Sequence, residues 1–123
     1  MKSSLKQALL CAGLMLSATA AFAHHSAAAF DRTKPVVLIG TVKKFLWSNP
    51  HTWIYLTVPD GKGGNDEWTL EGPPLGMMMQ AGWNGKTVRT GDKLRVLIAP
   101  YRDGTKHGEF MVVRDSTGKQ LKF

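Results

Sequence analysis

Residues 51–71 read HTWIYLTVPDGKGGNDEWTLE, and the alternation inside this stretch decides the fold. Ile54, Leu56 and Val58 lie on one face of an extended segment, while His51, Trp53, Tyr55 and Thr57 lie on the other. Residues 60–65 are dense in turn formers, and beyond them Trp68 and Leu70 alternate with Glu67, Thr69 and Glu71. The pattern is a β-hairpin. Bringing Ile54 and Leu56 against Leu70 and Trp68 sets Glu67, Thr69 and Glu71 beside Thr57, Tyr55 and Trp53, because pairing one face of a hairpin fixes the other. The outer face therefore carries His51, Trp53, Tyr55 and Glu71 together.

Working outward, Val36, Val37, Ile39, Thr41 and Val42 mark a strand running to Trp47, with Gly40 inside it as a bulge or a point of close approach. Ser48-Asn49-Pro50 turns the chain into the hairpin. After it, Pro73-Pro74 opens a short helix over residues 75–81, which Gly82 ends in a left-handed cap before Trp83 packs back. A fourth strand spans residues 94–99 and a fifth 109–114, separated by a turn-rich loop from Arg102 to Gly108. Five strands with one short helix between the third and fourth predict an all-β fold, a five-stranded OB-like Greek-key barrel. The rival, an immunoglobulin-like sandwich, needs about seven strands.

Upstream of the barrel, Lys2 and Lys6, an apolar run from Ala8 to Ala20 and the small-x-small triplet Ala21-Phe22-Ala23 read as a signal peptide over residues 1–23. The expected product is periplasmic or secreted, with an arm over residues 24–34 and the barrel domain over 35–123. The apolar run falls short of the roughly 20 residues that span a bilayer, so no transmembrane segment is expected in the mature chain. The single cysteine, Cys11, lies within the leader, and Leu10 stands where a lipoprotein signal has a small residue. A processed chain has no disulfide, thiolate catalysis, iron–sulfur cluster or c-type haem. The formal charge of the full chain is +7, of which the cut removes only Lys2 and Lys6. The remaining basic residues are scattered, which is weak evidence for a nucleic-acid partner.

Cleavage after Ala23 makes His24 the N-terminus and His25 its neighbour. An N-terminal histidine offers its amine, with a reference pKa of about 7.7–8.0, and its imidazole to one ion. Cupric ion favours such nitrogen donors and heads the divalent affinity order. His51, held after Asn49-Pro50, is the third imidazole, and Glu71 is a nearby acceptor. The expected metal set is thus His24, His25, His51 and Glu71, with copper as the ion. His107, in the Lys106-His107-Gly108 loop, reads as solvent-facing and is left out of the set. Met77, Met78 and Met79 point about 100° apart on a helix and do not converge on one ion; core filling by one or two is the simpler reading.

The motifs His24-His25-Ser26 with Phe30-Asp31, Gly40-Thr41-Val42, Asn49-Pro50-His51, Gly82-Trp83 and Gly91-Asp92 resemble those of a family of small exported bacterial proteins classed as a domain of unknown function. The resemblance covers the mature chain and implies export and a compact β-domain, with no activity attached. A looser likeness is to periplasmic copper-chaperone OB barrels, which use His, Met and a capping Trp in a different order. The expectation is a non-enzymatic protein that carries or buffers copper, with a periplasmic metal-accepting protein as partner. No serine–histidine–acid arrangement, phosphate loop or His-Glu-x-x-His motif is present. The alternative is an OB-type module binding an anionic glycan, lipid headgroup or oligonucleotide through Trp53 and Tyr55, with Lys43, Lys44 and Arg95 supplying charge.

Overall fold

A computed structural model describes residues 27–123. The expected leader, its cut after Ala23, and His24 and His25 lie outside the described residues. In chain order the elements are β1 (Val36–Leu46), β2 (Trp53–Pro59), β3 (Asn65–Glu71), α1 (Leu75–Gln80), β4 (Lys93–Pro100), β5 (His107–Arg114) and β6 (Gln120–Leu121). The sheet runs β3-β2-β1-β4-β5-β6, and a parallel pairing of β3 with β5 closes the first five strands into a barrel. This is the expected Greek-key ring, with α1 between the third and fourth strands. No helix among the described residues is long and apolar enough to cross a membrane.

The hairpin register follows from its two-faced pattern. Ile54 pairs with Leu70 and Leu56 with Trp68 inside, while Trp53 pairs with Glu71 and Tyr55 with Thr69 outside. Ile54, Leu56, Leu70, Val96, Ile98 and Val113 are fully buried, and each such side chain contributes about 1.5–3 kcal/mol by leaving water.

Strand β1 serves both sides of the ring, pairing with β4 through residues 36–41 and with β2 through residues 41–46. Lys43 is the extra residue of a bulge between Val42 and Lys44. The bulge resets the alternation, so Lys43 and Lys44 both face solvent while Val42 and Phe45 both face inward. Gly40 is the point of close approach: a Cβ there would sit 2.5 Å from the Thr57 carbonyl and 2.9 Å from Leu56 Cγ.

Helix α1 buries Met78 and leaves Met77 and Met79 exposed. Gly82, at φ 89°, ends it, and the Trp83 amide donates back to the Met78 carbonyl at 2.9 Å. The Trp83 indole donates to the Lys122 carbonyl at 2.7 Å, tying the C-terminus to the barrel.

Two features depart from the sequence reading. β5 begins at His107, two residues before the expected start, because barrel closure pairs Thr69 with His107 and Leu70 with Gly108. His107 is therefore half-buried and stacked on Tyr101 at 5.3 Å, which corrects its assignment to a solvent-facing loop. The tail forms β6, whose Leu121 pairs with Val113 and packs on the core.

Candidate metal centre

The arm is anchored to the barrel from residue 27 onward. Phe30 is buried and bridges Tyr101, their rings meeting edge-on at 5.0 Å. The Asp31 amide donates to the Pro100 carbonyl at 2.7 Å, and the Arg102 amide donates to the Ala29 carbonyl at 2.8 Å. Arg32 clamps Glu109 through Nε and Nη2 at 2.7–3.0 Å. Arg102 Nη1 lies 3.6 Å from Asp31. These contacts carry the arm across the barrel to the end of the hairpin that holds His51.

There a hollow of about 190 Å³ is bounded by Ala27 and Arg32 of the arm, His51, Glu71 and Glu109 of the barrel, and Pro73. Its floor is set by the turn before β2. The Asn49–Pro50 peptide is cis, and the Ser48 hydroxyl donates to the His51 carbonyl at 3.0 Å. The buried Thr52 latches this turn to the end of β3: its carbonyl accepts the Gly72 amide at 2.8 Å, and its hydroxyl donates to the Pro73 carbonyl at 3.2 Å.

His51 Nδ1 lies 3.0 Å from the Gly72 carbonyl and 3.2 Å from Glu71 Oε1. A carbonyl can only accept, so Nδ1 carries the proton. In the neutral ring the lone pair is then on Nε2, the arrangement in which metal-binding histidines are held by an outer acceptor. Glu71 thus meets His51 through Nδ1, across the ring from the nitrogen whose lone pair is available. Among the described residues no group of three or more His, Cys, Asp or Glu side chains is placed to hold a metal. A metal ion at His51 would need donors from elsewhere, and Ala27, three residues from His24, lines its hollow. Three residues span at most about 10 Å, so chain length allows the His24 nitrogens to reach His51.

Glu71 and Glu109 are register partners across the β3–β5 closure. Burial pushes the Glu71 carboxyl above its usual range, His51 pulls it down, and Glu109 raises it again. A carboxyl that holds its proton more tightly when folded lends stability at low pH and loses it as pH rises above 4.5. Glu71→Gln is accordingly expected to melt higher than the parent at neutral pH, with the difference closing below pH 4.5. Thermal melts across this range check it; a variant melting lower at neutral pH would make the His51 contact the dominant effect.

Trp53 and Tyr55 stand on the outer face of β2, where Lys44 Nζ lies 5.8 Å above the Tyr55 ring. Lys43 is neutralised by Glu67 at 3.0 Å, and Arg95 pairs with Ile39 near the other end of β1. The three cations assigned to an anionic ligand on the Trp53–Tyr55 face are thus distributed along the barrel. Arg32, Gly72 and Glu109 complete the hollow around His51 and escaped sequence reading. Glu109 alone carried a signal, as an acid on the same outward phase as the hairpin's Glu71.

A family model described as "Family of unknown function (DUF6152)" matches residues 12–110. No curated protein matches the chain. Among solved structures, the mitochondrial single-stranded DNA binding protein Rim1 of S. cerevisiae is similar over 68% of this chain and 94% of its own, at 12% identity and a TM-score of 0.49.

Proposed function

We propose that this chain, which belongs to the family of unknown function DUF6152, is exported, cut after Ala23, and binds one copper ion without catalysing a reaction. The donors are the His24 amine and imidazole together with His51 Nε2. His25 is the alternate imidazole, and Glu71 acts through the His51 Nδ1 proton. Its role is carriage or buffering, with a metal-accepting protein of the same compartment as partner.

The observation that carries this reading is the hydrogen bonding of His51: Nδ1 faces two acceptors at 3.0 and 3.2 Å. That leaves Nε2 as the lone-pair nitrogen of a residue that borders a hollow with the docked arm. An imidazole oriented in this way loses little freedom when it binds an ion.

The test is a calorimetric titration of the processed protein with cupric ion. Tight one-to-one binding is expected, and His51→Ala, which removes a ligand, is expected to weaken it by more than the roughly tenfold to hundredfold lost when only an outer-shell partner is removed. Absence of binding by a protein with a verified His24 terminus would refute the proposal.

A further inference from the structure

On the barrel wall away from the His51 hollow, three strands place like charges side by side. Arg95 of β4 pairs directly with Arg114 of β5, and Arg95 also pairs with Ile39 of β1. Like charges directly opposite across strands destabilise a sheet. Lys93 lies two residues along β4 on the same outer face, opposite Thr41. Among the described residues none of these three cations has a carboxylate partner within ion-pair distance. Arg114 donates only to the Gly118 carbonyl at 3.0 Å and to the Gln120 side-chain oxygen at 3.4 Å.

Beside this cationic row runs an apolar one. Val37, Leu97 and Val112 are register partners across the same three strands. Val37 is 44% exposed and Ile39, in the cationic row, 58% exposed. An open hollow of about 330 Å³ lies over the cationic row, lined by Ile39, Lys93, Arg95, Arg114, Asp115 and Ser116. The Asp115 carboxylate in this lining accepts from the Thr117 amide, the Thr117 hydroxyl and the Lys119 amide. Those bonds hold it below the usual carboxylate range, the Thr117 hydroxyl foremost.

We propose that this wall binds an anionic lipid surface, with headgroup phosphates between Arg95, Arg114 and Lys93 and with Ile39 and Val37 at the acyl boundary. Charge complementarity selects the occupant. Two opposed guanidiniums and an ammonium outnumber the one carboxylate of the patch, Asp115, whose oxygen is taken up by its own turn, and suit a plane of phosphates. The exposed aliphatics beside them suit the hydrocarbon edge of that plane and gain nothing from a soluble polyanion. The patch involves none of the residues assigned to copper.

The test is sedimentation of the exported, processed protein with vesicles of phosphatidylcholine alone and with added phosphatidylglycerol. Retention is expected only on the anionic vesicles and is expected to fall as salt rises. Each basic residue near an anionic surface contributes about fivefold to partitioning, so Arg95→Gln with Arg114→Gln is expected to lower the partition coefficient about twenty-fivefold. The double lysine variant is expected to keep most of it. Because the opposed pair is repulsive, the glutamine variant is expected to melt no lower than the parent, which separates lost binding from lost fold. Equal retention on both vesicle types, retention by the folded glutamine variant equal to the parent's, or binding to heparin without binding to vesicles would each overturn the proposal. So would a solution dimer that buries Ile39.

Discussion

A protein that keeps a single extra residue before His24 is expected to bind cupric ion about a hundredfold more weakly than the processed form, a loss of about 2.7 kcal/mol. The extension leaves every side chain in place and changes only the amine, which becomes an amide nitrogen and no longer chelates with the His24 ring. Below the reference amine pKa of about 7.7–8.0, binding by the processed form should release a proton, and the extended form should release less. Calorimetry in buffers of different ionisation enthalpy reads this proton directly. Equal affinity of the two forms would mean that the amine is not a ligand and that side-chain imidazoles alone hold the ion.

The largest expected loss of stability is at Gly72. A Cβ at this position would overlap the Phe110 ring and the Thr52 hydroxyl, well inside van der Waals contact. Phe110 is 1% exposed and Thr52 0%, so neither has room to give. Overpacking of this kind costs about 3 kcal/mol. In a domain of this size 1 kcal/mol moves the melting point by about 4–8 °C, so Gly72→Ala should melt roughly 15 °C lower. The contrast is Gly76 in α1, where an added Cβ meets nothing within 4 Å. Gly76→Ala should stabilise by about 0.5–1 kcal/mol through lost freedom of the unfolded chain. Because the Gly72 carbonyl also accepts the His51 proton, residual folded Gly72→Ala protein is expected to bind copper less well. A pair of thermal melts decides the matter; a small effect at Gly72 would show that Phe110 can move aside.

The strand order, the register of the hairpin and the place of the helix were legible because each rests on a local signal. Alternation in residues 51–58 chose the core face, the Pro73-Pro74 pair opened α1, and Gly82 closed it. The meeting of His51 with Glu71 was legible for the same reason, since both belong to one hairpin whose inner face fixes its outer one. What escaped depends on pairing between distant segments. His107 looked like loop because its neighbours are turn formers, yet the partner that makes it strand is Thr69, across the barrel seam. The anchoring of the arm was equally hidden, since Phe30 has no periodic neighbours and finds Tyr101 only after β4 is in place. The opposed pair Arg95 and Arg114 is a property of register between β4 and β5 and has no signature in either strand alone. The bulge at Lys43 went unread because two adjacent lysines on a strand imply opposite faces until an extra residue is inserted.

In the proposed site one copper ion joins the processed N-terminus to His51 on the barrel. Pulsed electron paramagnetic resonance of the cupric protein tests it most directly, by counting the imidazoles bound to the ion in the parent and in His51→Ala. Two coupled imidazoles are expected in the parent and one in the variant, with the amine nitrogen present in both. An unchanged spectrum in His51→Ala, or a spectrum dominated by oxygen donors in the parent, would contradict it.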